Sequence, residues 1–226
     1  MSSLLAVVII EVYRLARRWG DQRPLRKMLD SSKDIVIIVP SYPVKIDKPT
    51  RSVLSIHDVY ALTHVTEACR RIGATTRLVS SAQLPDDFSN EFIVAVAGPY
   101  SNEKTKLYLN SYCATFQTIE SDRYTRGFKC SEREFSEDDG RGITWAYIVR
   151  LDPDVTGQKT TMILVWGTTA LATASAAYYF AEHTRELMKF NKSFFVALRI
   201  NRNLGYRCVP TTPINISEVA IGSGGK

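Results

Sequence analysis

Two short runs of this chain, Asp34–Pro40 (DIVIIVP) and Asn90–Ala97 (NEFIVAVA), carry apolar residues at consecutive positions with no polar alternation. A strand that hides one face alternates; a strand that is apolar throughout is hidden on both. The chain must therefore build a sheet and cover it on either side.

Around these runs the pattern changes to helical spacing. His57–Gly73 places Val59, Leu62, Val65, Thr66 and Cys69 on one face and stops at Gly73. Thr75–Ser80 reads as a short strand, and Glu103–Cys113 as a helix through Leu107, Leu109 and Tyr112. Ile143–Leu151 (ITWAYIVRL) and Lys159–Trp166 (KTTMILVW) read as strands joined by a turn at 152–157 (DPDVTG). A long helix over Ala170–Phe190 and a last strand over Ser193–Asn201 complete the pattern. Short strands alternating with helices predict an α/β fold with a mainly parallel sheet and helices on both faces. Asp122–Arg141 is charged and polar and reads as an excursion or flap, whereas Leu204–Ala220, with two prolines, reads as an edge strand or surface tail.

With 226 residues, 45% of them hydrophobic, the chain can bury one good core. Its net charge of +6 is scattered, which permits contact with nucleic acid or anionic lipid without favouring it. Cys69, Cys113, Cys130 and Cys208 lack metal-finger or CxxC spacing, and the histidines number three, so no metal site and no cofactor is expected. A reducing, cytoplasmic setting is the expectation from that cysteine usage. Ser3–Ile10 is too short to cross a bilayer, which needs about 20 residues. Leu4, Val8, Val12, Leu15 and Trp19 recur at helical spacing, the pattern of an amphipathic helix. Such a helix docks on its own domain, pairs with another copy or a partner protein, or lies on a membrane surface. The organisation read from the sequence is an amphipathic helix and linker over 1–30, an α/β domain over 34–205 and a tail over 206–226.

In open α/β sheets ligands bind outside the carboxyl ends of the strands, where helix N-termini present unpaired amides. Three such ends stand out. Gly167-Thr168-Thr169 joins a strand to an alanine-rich helix; it is neither a P-loop nor GxGxxG, and reads as a turn with an N-cap or as a phosphate or ribose contact. Gly98-Pro99-Tyr100-Ser101-Asn102 makes a sharp strand exit, with Ser101 or Asn102 able to cap the next helix or bond a base or sugar. The third end is Ser41-Tyr42, with His57-Asp58 opening the first helix. Asp58 and Asp139 are the candidate catalytic carboxylates, Asp139 as part of a lid.

The strand-GPxSN-helix and strand-GTTA-helix elements resemble those of uncharacterised Rossmann-like domains in prokaryotic signalling and defence proteins. A fainter likeness is to nucleoside deoxyribosyltransferase-like and TIR-like folds, which act on N-glycosidic bonds of nucleotides. The resemblance covers roughly Asp34–Asn201 and implies a three-layer Rossmann-like fold. It further implies a sensor or effector domain for a nucleotide-like small molecule; the three strand ends themselves supply Ser41, Tyr42, Gly98, Pro99, Ser101, Asn102, Gly167, Thr168 and Thr169 as the residues expected around such a ligand. The alternatives are an enzyme that cleaves a nucleotide N-glycosidic or phosphoester bond, and a non-catalytic module that oligomerises through the N-terminal helix.

Overall fold

The computed structural model describes residues 22–44, 51–82, 91–113, 115–120, 125–190, 192–209 and 212–221. The two continuously apolar runs form β1 (Asp34–Val39) and β5 (Phe92–Val96), parallel neighbours with Ile35 opposite Phe92. β4 (Thr75–Ser80) pairs with the far side of β1 and β10 (Met162–Gly167) with the far side of β5, both parallel. β9 (Ile143–Leu151), β11 (Phe194–Asn201) and β12 (Ile214–Asn215) extend the sheet by antiparallel pairing. The result is one seven-stranded sheet in the order β12-β11-β9-β10-β5-β1-β4. Five strands run in one direction; β9 and β12 oppose them. A short hairpin of β2 (Tyr42–Val44) and β3 (Arg51–Val53) leads from β1 to the first long helix.

Alternate residues of β1 face two separate cores. Ile35 and Ile37 join one core with helix α1 (described over 22–28), α2 (Ile56–Arg71) and α5 (Ala170–Glu182). Val36 and Ile38 join the other, with α3 (Glu103–Tyr112) and a small three-stranded sheet. That small sheet corrects the reading of the polar segment as an excursion or flap. It consists of β6 (Phe116–Glu120), β7 (Thr125–Cys130) and β8 (Arg133–Ser136), and it buries Phe128, Cys130 and Phe135. A meander lying on a larger sheet hides one face only, so half of its residues stay polar and the composition masks the strands. Phe128 stacks on Phe116 at 4.6 Å and meets Tyr147 edge-on at 4.9 Å, which ties the meander to β9. The buried thiols of Cys69 and Cys113 are pushed up to about 12 by desolvation and act as small apolar fillers.

The predicted helix over Ala170–Phe190 is two. α5 ends at His183, whose backbone leaves the helical region, and α6 (Thr184–Leu187) starts anew, with the Thr184 hydroxyl donating back to the Phe180 carbonyl. The 152–157 turn contains one helical turn, α4 (Pro153–Thr156), with proline at its start and Gly157 at φ 67° closing it. After β11 the chain makes a 3-10 turn (Arg202–Leu204), and beyond β12 it ends in α7 (Ser217–Ala220), which seats Ile216 and Ala220 in the second core. Among the described residues no helix is long and apolar enough to cross a membrane.

The stripe from Leu4 to Trp19 lies outside the described residues. The adjoining segment belongs to the fold: Leu25, Met28 and Leu29 are buried in the first core. Arg150, nearly fully buried at the end of β9, holds this segment in place. Its guanidinium donates to the Met28 carbonyl at 3.2 Å and to the Lys192 carbonyl, and pairs with Asp30 at 2.6 Å and with buried Asp152 at 2.6 Å. Burial pushes the Asp152 carboxyl up against the opposing pull of Arg150. Arg150→Ala should therefore destabilise the protein by about 3–5 kcal/mol in urea unfolding, because a buried carboxylate loses its counter-ion. A carboxyl whose folded pKa lies above its unfolded one weakens the fold as pH rises between the two. The loss in the variant should accordingly shrink as pH falls through the ordinary carboxyl value of 3.8, below which Asp152 is protonated in both states.

Candidate functional site

Because β1, β5 and β10 are parallel neighbours, their carboxyl ends open on the same edge of the sheet. At the end of β10 the chain turns at Gly167 and enters α5. A Cβ on Gly167 would stand 2.4 Å from the Ala172 Cβ and 2.6 Å from the Thr173 amide nitrogen, so helix backbone occupies the space of a side chain. The Gly167 amide donates to the Thr173 hydroxyl at 3.1 Å, and the Thr169 hydroxyl caps the Ala172 amide at 3.1 Å. The amides of Ala170 and Leu171 make no hydrogen bond among the described residues. They are the donors a helix start leaves to a ligand.

At the end of β5, Ala97 takes φ 79°, a left-handed conformation that costs an L-residue about 1–2 kcal/mol. It is held by its amide on the Val165 carbonyl at 3.0 Å and by the Thr105 hydroxyl on its own carbonyl at 3.0 Å. Gly98 then passes over Trp166, whose Cδ1 would lie 3.3 Å from a Cβ at that position. Asn102 is fully buried: it accepts from the Lys104 and Thr105 amides and donates to the Val96 carbonyl at 2.8 Å. This asparagine commits its side chain to the helix cap and to the strand below it. The end of β1 joins through the Ser41 amide, which donates to the Ser101 carbonyl at 3.0 Å.

These two turns line one cleft of about 160 Å³, formed by Ala97–Ser101, Gly167–Ala170, Thr173 and Phe128. Gly98, Pro99, Ser101, Gly167, Thr168 and Thr169 are thus brought together in its lining. Ser41 and Asn102 stand behind the lining, and the Tyr42 side chain lies outside the described residues. The two carboxylates singled out from the sequence are not in the lining either. Asp58 is buried in a capping box with Ser55, and Asp139 is exposed and paired with Arg202 at 2.7 Å. Phe128 does come from the polar segment, which reaches the cleft as a strand.

The acidic group that does approach the cleft is Glu137, which sequence reasoning leaves in a solvated run. Thr144, buried at the start of β9, donates to Glu137 Oε1 at 3.2 Å and lies 2.6 Å from the Thr168 hydroxyl. A hydroxyl has one proton, so Thr144, having given its own to Glu137, accepts from Thr168. Thr168 in turn accepts from the Trp145 amide at 3.3 Å. The chain of hydroxyls therefore runs from Thr168, a lining residue of the cleft, to Glu137, and the Thr168 proton is directed inward, to the Thr144 hydroxyl or to the Trp145 carbonyl at 3.5 Å. Nothing local in the sequence marks this: Glu137 and Thr144 flank a turn, and only the β9–β10 pairing sets them beside Thr168.

A groove of about 700 Å³ at the other end of α2 and α5 is lined by Glu67, Arg71 and Glu182, whose charges pair with one another. No three His, Cys, Asp or Glu side chains converge on a common point among the described residues. Gly167→Ala should cost about 1–3 kcal/mol by overpacking against α5 backbone, and Gly98→Ala, which meets an indole edge at 3.3 Å and the Gly167 carbonyl at an ordinary 3.6 Å, should cost less in the same thermal unfolding experiment. Asn102→Ala should lose about 1–3 kcal/mol, because a cap and the partner of a buried carbonyl go together. Neither the scan against protein-family models nor the comparison with curated proteins gives a match, so the site speaks through its own geometry.

Proposed function

We propose that the chain is a binding domain for a nucleotide or a nucleotide-like ligand, with the sugar phosphate in the cleft between the Gly98 and Gly167 turns. The observation that carries this reading is the convergence of those turns on one cleft beside helix-start amides that have no partner among the described residues. An anion is favoured at that helix start, by amide donors and by the helix dipole. Thr168, turned acceptor by Thr144 and Glu137, suits the hydroxyl of a sugar rather than a second anion. A phosphate next to hydroxyl donors is the chemistry of a ribose phosphate. The seven-stranded sheet is read as a three-layer Rossmann-like arrangement, and the protein as a sensor or effector module that responds to such a ligand.

Binding is favoured over turnover because Glu137 acts through two threonines and does not itself line the cleft. The test is thermal unfolding of the full chain with inorganic phosphate, ribose 5-phosphate and adenosine 5′-monophosphate. A ligand at about 100 times its dissociation constant adds roughly 2.7 kcal/mol. Ribose 5-phosphate should raise the melting temperature, and chromatography of the mixture should return it intact. Thr168→Val should weaken ribose 5-phosphate about tenfold, the worth of one hydrogen bond near 1.4 kcal/mol, and leave phosphate nearly unchanged. No shift with ribose 5-phosphate or with adenosine 5′-monophosphate would sink the proposal.

A further inference from the structure

We propose that the groove between α3 and β6 is the other half of the same ligand site and takes the base of a nucleotide. This inference rests on the reading of the cleft as a sugar-phosphate site. The cleft, at about 160 Å³, is smaller than the roughly 300 Å³ at which small-molecule pockets usually begin. A nucleotide seated there by its ribose phosphate must leave its base outside. The groove holds about 720 Å³ and shares two lining residues, Pro99 and Tyr100, with the cleft. The two spaces meet at the turn that leaves β5.

The groove has the chemistry of a base site. Tyr100, at the shared border, is 71% exposed, the highest value among the large hydrophobic side chains described. Phe116, buried and stacked on Phe128, lines the groove from β6 and leaves Tyr100 as the exposed ring. A flat heterocycle stacks on such an exposed ring whatever its identity. Asn110 on α3 and Gln117 on β6 come from the two elements that bound the groove, and neither carboxamide has a hydrogen-bond partner among the described residues. A carboxamide offers a donor and an acceptor side by side, the pattern a base edge requires. Lys106, one helical turn before Asn110 on the same face of α3, adds a positive charge for a further phosphate.

The experiment is isothermal titration of the full chain with ribose 5-phosphate and with the 5′-monophosphates of adenosine, guanosine, cytidine and uridine. At least one nucleotide should bind ten or more times more tightly than ribose 5-phosphate. Asn110→Ala or Gln117→Ala should remove that advantage and leave ribose 5-phosphate affinity unchanged. Both side chains are exposed, so neither change threatens the fold. If ribose 5-phosphate binds and all four nucleotides merely equal it, the groove is not a base site and the inference falls while the cleft reading stands. The inference falls in the same way if the nucleotide advantage survives both substitutions. If none of the five binds, the cleft reading fails and takes this inference with it.

Discussion

Helix α5 begins so near the end of β10 that position 167 has no room for a side chain. That close approach fixes much of what surrounds it. It lets the alanine-rich face of α5 lie flat on the sheet, with Ala172, Ala176 and Ala177 fully buried in the first core and α2 packed alongside. It also sets the first amides of α5 at the carboxyl edge, next to the turn that leaves β5. Were α5 displaced by the width of a methyl group, the Gly167–Thr173 bond and the cleft wall would separate together.

The two edges of the sheet treat their polar groups differently. At the amino edge Arg150 gathers Asp30, Asp152 and two backbone carbonyls, and the Thr161 hydroxyl donates its one proton to Asp30 and lies 3.3 Å from Asp152 Oδ1. That cluster is closed, and its work is to hold the segment before β1. The carboxyl-edge half is left open. Among the described residues, the first helix amides there stand unpaired, Ala97 is held in a left-handed conformation, and Asp58 Oδ1 and Trp166 Nε1 are buried without partners. An unmade buried hydrogen bond costs about 1–3 kcal/mol, so in this half stability gives way to geometry. Sites that must accept a ligand are drawn from such regions.

Trp166 connects the cleft to the second core. Its indole lies parallel to the Tyr147 ring at 5.2 Å and meets Phe116 and Phe128 edge-on at 5.8 and 6.0 Å. Gly98 rides over the same indole. The meander β6–β8 is therefore no detachable flap: its aromatic face is part of what supports the β5 turn. Movement over the site would have to come from side chains such as Tyr100 rather than from the meander as a whole.

Much of this was written in local sequence. The unbroken apolar runs predict β1 and β5, helical spacing predicts α2 and α3, and glycine followed by hydroxyl residues marks the two turns at the site. These are properties of neighbouring residues, and short-range sterics and capping decide them. The N-cap roles of Asn102 and Thr169 belong here too. The features that local sequence left open depend on pairing across long separations. The β9–β10 register brings Thr144 and Glu137 to Thr168, and the meander reveals its apolar face only against Tyr147 and Trp166. Asn102 reads as a possible ligand contact until the buried carbonyl of Val96 claims it. Sequence alone therefore determined at which strand ends the glycine turns and helix caps would fall. Tertiary structure decided which polar groups there were left free, because a hydrogen-bonding group can be used only once and its partner is chosen by the fold.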